Sequence, residues 1–76
     1  MREAIEKLIK ALVDAPESIE VSERIDRSAT IFEVRVAESD MGKVIGREGR
    51  TIRSLRSLVH AASLKQGRRF SLEIVE

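Results

Sequence analysis

The sequence contains no cysteine, no tryptophan and no tyrosine, and its 76 residues include one histidine, one proline and two phenylalanines. Without cysteine it forms neither disulfides nor thiolate metal sites. Catalysis needs a positioned acid, base, nucleophile or metal. The lone histidine, His60, falls among polar residues on its predicted helix and is expected at the surface. The carboxylates are spread over strand faces and the first helix, so no catalytic residue, metal ligand or cofactor is assigned, and the chain is expected not to be an enzyme. The two aromatics, Phe32 and Phe70, occupy inward positions of predicted strands. A sheet of exposed aromatics on which bases could stack is therefore excluded. No apolar run approaches the roughly 18 residues of a membrane span, so no membrane partner is expected. The N-terminus has no apolar signal core, and a cytoplasmic location is expected.

What is present suits one small folded domain over residues 1–76. Hydrophobic residues make up 42% and charged residues 36%, a balance that argues against disorder. A chain of this length buries a modest core, so a second subunit would be a natural source of extra stability. The net charge of +1 conceals an uneven distribution. Residues 1–39 sum to −3, whereas residues 40–70 sum to +6, with Lys43, Arg47, Arg50, Arg53, Arg56, Lys65, Arg68 and Arg69 set against Asp40 and Glu48. Such a segment attracts a polyanion, most commonly nucleic acid.

The apolar spacing predicts a helix over residues 2–14, with Ile5, Leu8, Ile9 and Leu12 on one face. Pro16 stops it. The period then changes to two. Ile19, Val21 and Ile25 share one face of a strand, breached by Glu23, and Phe32, Val34 and Val36 share the inner face of a second, with Arg27-Ser28 as the turn between. Ser39 or Asp40 can cap a short helix, Met41 to Ile45, and a longer helix runs from Arg50 to Leu64 or Lys65 and stops near Gly67. A last strand, Arg69 to Val75, turns Phe70, Leu72 and Ile74 inward. The order is α-β-β-α-α-β, an α+β fold with three helices on one face of a three-stranded mixed sheet.

Between the second and third helices lies Gly46-Arg47-Glu48-Gly49. Glycine has no Cβ, so the chain can turn sharply there and a phosphate can approach the main chain. The N–H groups opening the next helix, with the positive end of its dipole, favour an anion. Arg47 within the loop and Lys43 before it add full charges. This arrangement grips a sugar-phosphate backbone without reading base sequence. Val44, Ile45 and Ile52 are the aliphatic side chains available to bases. Glu48 opposes phosphate locally and is placed to pair with Arg47 or Arg50, or to cap the next helix. At 100° per residue, Ile52, Leu55, Leu58, Val59 and Ala62 fall on an arc of about 120°, with Arg50, Arg53 and Arg56 on the opposite side. An ordinary solvent-facing side mixes charges of both signs; this one carries arginine without interleaved glutamate. The candidate contact set is Lys43, Val44, Ile45, Gly46, Arg47, Glu48, Gly49, Arg50, Ile52, Arg53 and Arg56.

The run Val44-Ile45-Gly46-Arg47-Glu48-Gly49-Arg50-Thr51-Ile52, with Leu55 and Val59 beyond it, resembles the KH signature, in which a GXXG loop clamps about four nucleotides. The element order resembles the type II arrangement. The segment Val36 to Gly46, the Arg-Ser-Leu-Arg-Ser-Leu-Val helix and the ending Leu72 to Glu76 are similar to small bacterial stand-alone KH proteins of the KhpA type. The resemblance covers essentially the whole chain. It implies single-stranded RNA binding and a role as an RNA chaperone or post-transcriptional regulator. It also implies a homodimer, pairing with a larger Jag-type KH protein, and links to cell-wall synthesis and cell length.

Two other classes compete. The spacing of Gly42, Gly46 and Gly49 is neither the dinucleotide fingerprint nor a Walker loop, which weighs against a nucleotide enzyme. The stronger alternative is a protein-interaction module whose fold mainly supports dimerisation, with Leu64, on the polar side of the long helix, as a marker of the partner surface.

Overall fold

The structure, a computed structural model, describes residues 1–75. Helix α1, Arg2–Leu12, buries Ile5 and Ile9 but leaves Leu8 and Leu12 partly exposed. It ends two residues short of the expected boundary because the N–H groups of Asp14 and Ala15 bond elsewhere, to the side chain of Asp40. Strands β1 (Glu20–Asp26) and β2 (Ala29–Arg35) pair antiparallel about the Arg27-Ser28 turn. Helices α2 (Met41–Ile45) and α3 (Arg50–Gln66) follow, and β3 (Arg69–Val75) returns parallel to β2. The sheet order is β1-β2-β3. The α-β-β-α-α-β order and mixed sheet expected from the sequence are the ones observed.

The alternation along each strand gives the sheet two unlike faces. One carries Val21, Phe32, Val34 and Leu72 beneath the helices. With Ile5, Ile9, Val36, Val44, Ile52, Leu55 and Val59 these inner residues of β2 and β3 form the core, against which Val21 packs half-buried. Phe32 and Phe70 meet edge to face, ring centres 5.4 Å apart at 76°, a favoured aromatic geometry. The other face is polar, with Arg24 bonded to Glu33 at 2.9 Å and lying 3.7 Å from Glu73. The C-terminus of α3 closes on Gly67 in the left-handed conformation (φ 64°), with the Arg68 N–H reaching back to the Ser63 carbonyl at 3.0 Å. This is the glycine stop the sequence signals.

Two apolar expectations are corrected. The alternation puts Ile25 on the inner face of β1, yet it is 75% exposed. Glu23, between Val21 and Ile25 on that face, marks where the strand runs past the edge of the core. The helical spacing puts Leu58 on the buried arc of α3, but it is 57% exposed, and Ser63 is buried in its stead, its hydroxyl donating to the His60 carbonyl at 2.7 Å. The hydroxyl bond is what allows serine there. With Ile52, Leu55, Val59 and Ser63 inward, α3 is rotated away from the expected seating.

Candidate nucleic-acid interface

The connection between α2 and α3 is built from residues of positive φ. Gly46 has φ 78° and ψ 171°, Glu48 has 56° and 26°, and Gly49 has 73° and 17°. The first combination is essentially restricted to glycine, and the left-handed backbone of the glutamate costs about 1 kcal/mol of strain. The two glycines are required for different reasons. A Cβ on Gly46 would stand 2.2 Å from Thr51 Oγ1 and 2.8 Å from the Thr51 nitrogen, whereas one on Gly49 meets nothing nearer than Ile52 Cγ2 at 3.9 Å. Thr51 therefore packs directly on the loop and holds Gly46 in place.

Hydrogen bonds decide which loop donors remain. The Gly46 N–H donates to the Gly42 carbonyl at 2.8 Å, the Gly49 N–H to Gly46 at 3.1 Å, and the Arg50 N–H to Arg47. The N–H groups of Arg47 and Glu48 open this short turn, ahead of its first internal bond, and so have no acceptor within it. The donors left for an anion are thus in the loop tip rather than at the first residue of α3. Consecutive N–H groups in such a turn form a concavity that suits an anion.

The basic residues around the loop divide by what they already hold. Arg53 donates from Nη2 to the Glu48 carbonyl at 2.9 Å and from Nε to the Gly49 carbonyl at 3.3 Å. One guanidinium thus fixes two consecutive peptide planes, and Arg53 shapes the loop from beneath. Lys43 bonds the Asp14 carboxylate and lies 3.6 Å from Asp40 Oδ1. Asp14, and less strongly Asp40, hold its ammonium above the usual lysine value against the opposing effect of burial. Arg50 faces Glu48 at 3.9 Å with both side chains largely exposed, a weak pairing. Arg47 and Arg56 are exposed and make no ion pair among the described residues. Because a three-residue step turns the helix by about −60°, Arg50, Arg53 and Arg56 wind around α3. They do not form one straight stripe.

The aliphatic candidates divide as well. Val44 is fully buried and Ile52 is 9% exposed, so both belong to the core beneath the loop. Ile45, at 40%, is the one of the three that a base can reach.

Asp40 is the residue whose role the sequence did not reveal. It precedes α2 as a cap would, but its side chain makes no cap bond to that helix. It is 2% exposed and accepts the N–H groups of Asp14 (3.2 Å) and Ala15 (3.0 Å). Burial pushes its pKa up, but the two N–H groups and Lys43 more than offset this and hold the carboxyl below its ordinary value. The clasp ties the end of α1 to the start of α2, the five-residue helix that leads into Gly46. The only local trace of it is Lys43 three residues on.

A family model described as KhpA/KhpB, KH domain, matches residues 2–74. The RNA-binding protein KhpA of Halalkalibacterium halodurans is 46% identical over 76 residues, covering all of both chains. That of Caldanaerobacter subterraneus subsp. tengcongensis is 45% identical over 75 residues, 99% of this chain and 100% of the relative. That of Chlamydia pneumoniae is 42% identical over 76 residues, 100% and 97% respectively. Among solved structures, Aquifex aeolicus Era bound to GDP·AlF4− superposes with a TM-score of 0.62, and Era in complex with MgGDPNP and nucleotides 1506-1542 of 16S ribosomal RNA with 0.63. Both share 20% identity and match 96% of this chain, which spans 28% of Era. At that identity the likeness concerns the fold alone.

Proposed function

The chain belongs to the KhpA/KhpB family of KH domains, and from that premise we propose that it binds single-stranded RNA by the backbone at Gly46–Gly49. The observation that carries this reading is the loop tip, where the Arg47 and Glu48 N–H groups open a tight turn held by positive-φ residues, beside an exposed Arg47 side chain that makes no ion pair among the described residues. Phosphate oxygens would accept from those N–H groups and from Arg47, and Arg50 would exchange Glu48 for phosphate. Ile45 would lie against a base. Lys43 and Arg53 support the loop and contribute only a screened charge. The activity is binding rather than catalysis, and its setting is the cytoplasm. The described residues contain no helix long and apolar enough to cross a membrane. A post-transcriptional or RNA-chaperone role, a larger Jag-type KH partner and the tie to cell-wall homeostasis and cell length rest on the family resemblance.

A second reading has its own observation. Leu58 and Leu64 are 57% and 72% exposed on α3, flanking the small residues Ser57 and Ala61. This face suits a second copy of the chain. A dimer would place two weak loops on one RNA and raise affinity through effective concentration.

One pair of substitutions addresses both readings. With Arg47→Asp and Glu48→Asp together, RNA affinity is expected to fall by about tenfold or more, as one cation is lost and an anion gained at the tip. The sedimentation coefficient is expected to stay that of the wild type. Unchanged RNA affinity in a folded variant would refute the loop grip, and lost dimerisation with intact RNA binding would favour the interaction module.

A further inference from the structure

The positive segment identified in the sequence is only partly used by the loop. Lys65, Arg68 and Arg69 lie at the opposite end of α3, about 25 Å away for a 17-residue helix. The fold brings them a fourth cation from the acidic half of the chain. Asp26 pairs with Ala29, and Ala29 with Arg69, so the Arg27-Ser28 turn sits beside the start of β3. Arg27, Lys65, Arg68 and Arg69 are all exposed, and none makes an ion pair among the described residues. Asp26, the acid at this end, adjoins Arg27 in the chain and makes no ion pair among the described residues. At the loop, by contrast, Lys43 stands between two carboxylates, Arg50 faces Glu48, and Arg53 is bonded to carbonyls. The less compensated positive charge is at the far end.

Arg27 supplies an independent sign. It has φ 59°, at the first position of a two-residue hairpin turn, where glycine is the relaxed choice. A charged side chain held on a strained backbone is a pointer to function. Lys65 complements the negative end of the α3 dipole, but Arg27 and Arg69 lie off that helix, so the dipole does not account for the cluster.

We propose that Arg27, Lys65, Arg68 and Arg69 form a second contact for the same RNA, taking phosphates beyond the few nucleotides held at Gly46–Gly49. The inference rests on the RNA-binding reading of the loop. Because the cluster is on a different end of the molecule, oligonucleotide length separates the two sites. Short oligouridylate of about five nucleotides reports on the loop, and one of about fifteen nucleotides reports on both.

The test is the triple variant Arg27→Gln, Arg68→Gln, Arg69→Gln, with thermal unfolding as the check on its fold. The variant is expected to bind the short oligomer as the wild type does and the long one about tenfold more weakly, with a salt dependence shallower by about 0.7 for each phosphate that is no longer neutralised. A variant that keeps the full advantage of the long oligomer overturns the inference. The extra affinity then comes from a second loop in a dimer, and the cluster is left to an acidic protein partner. If the wild type binds neither length, the loop reading itself has failed, and this one with it.

Discussion

Replacing Gly46 with alanine is expected to abolish RNA binding and to lower stability by about 3 kcal/mol, whereas Gly49→Ala costs about 1 kcal/mol and weakens binding without eliminating it. The difference follows from geometry. Both positions have positive φ, but only Gly46 combines it with ψ 171°, and only there would a Cβ fall within 2.8 Å of both backbone and side chain of Thr51. Relief would require α3 to move away from α2, and that movement would open the turn that carries the Arg47 and Glu48 N–H groups. A loss of about 3 kcal/mol is a large share of the stability of a domain this small. Thermal unfolding and RNA titration of the two variants side by side check the ranking. Equal effects at the two glycines would mean that Thr51 does not brace the loop.

Asp40→Asn is expected to lower the unfolding midpoint by on the order of 5 °C at neutral pH, although it changes one atom. An amide offers one oxygen where the carboxylate offers two, so one of the Asp14 and Ala15 N–H groups loses its acceptor in a buried position, and Lys43 loses one of its two carboxylates. The pH dependence separates charge from packing. Burial raises the Asp40 pKa, but the N–H groups and Lys43 bring the net value below that of a free carboxyl. The group therefore binds a proton more readily in the unfolded chain. Its stabilising contribution is complete above the unfolded carboxyl value and is lost as pH falls through the lowered folded one. The wild type should lose stability through that acid window, and the gap to the Asn variant should narrow there. A gap independent of pH would show that shape rather than charge holds the clasp.

Much of this architecture was legible in the sequence because the apolar period changes at recognisable points. Ile5 and Ile9 at helical spacing, Phe32, Val34 and Val36 at strand spacing, and the glycine stop at Gly67 placed the elements and the sheet's inner face. Periodicity identifies a face but not how far its cover extends. Ile25 and Leu58 have the right phase and still lie outside, because no element covers them. The loop was legible as a glycine pair between helices, and its backbone bears that out. The uses of the charges around it were not. Lys43 and Arg53 look like their neighbours in a count of cations, and only tertiary placement shows one clasped by Asp14 and Asp40 and the other bonded to loop carbonyls. Asp40 reads as a helix cap from its position, whereas its partners lie 25 and 26 residues earlier.

The most direct measurement is a titration of the ¹⁵N-labelled protein with a short single-stranded oligoribonucleotide, followed through the backbone amide signals. The largest shifts are expected on Arg47 and Glu48, with smaller ones from Ile45 to Arg50. Shifts confined to the Leu58 and Leu64 face of α3, or to the outer face of the sheet, with the loop signals unmoved, would contradict the loop grip.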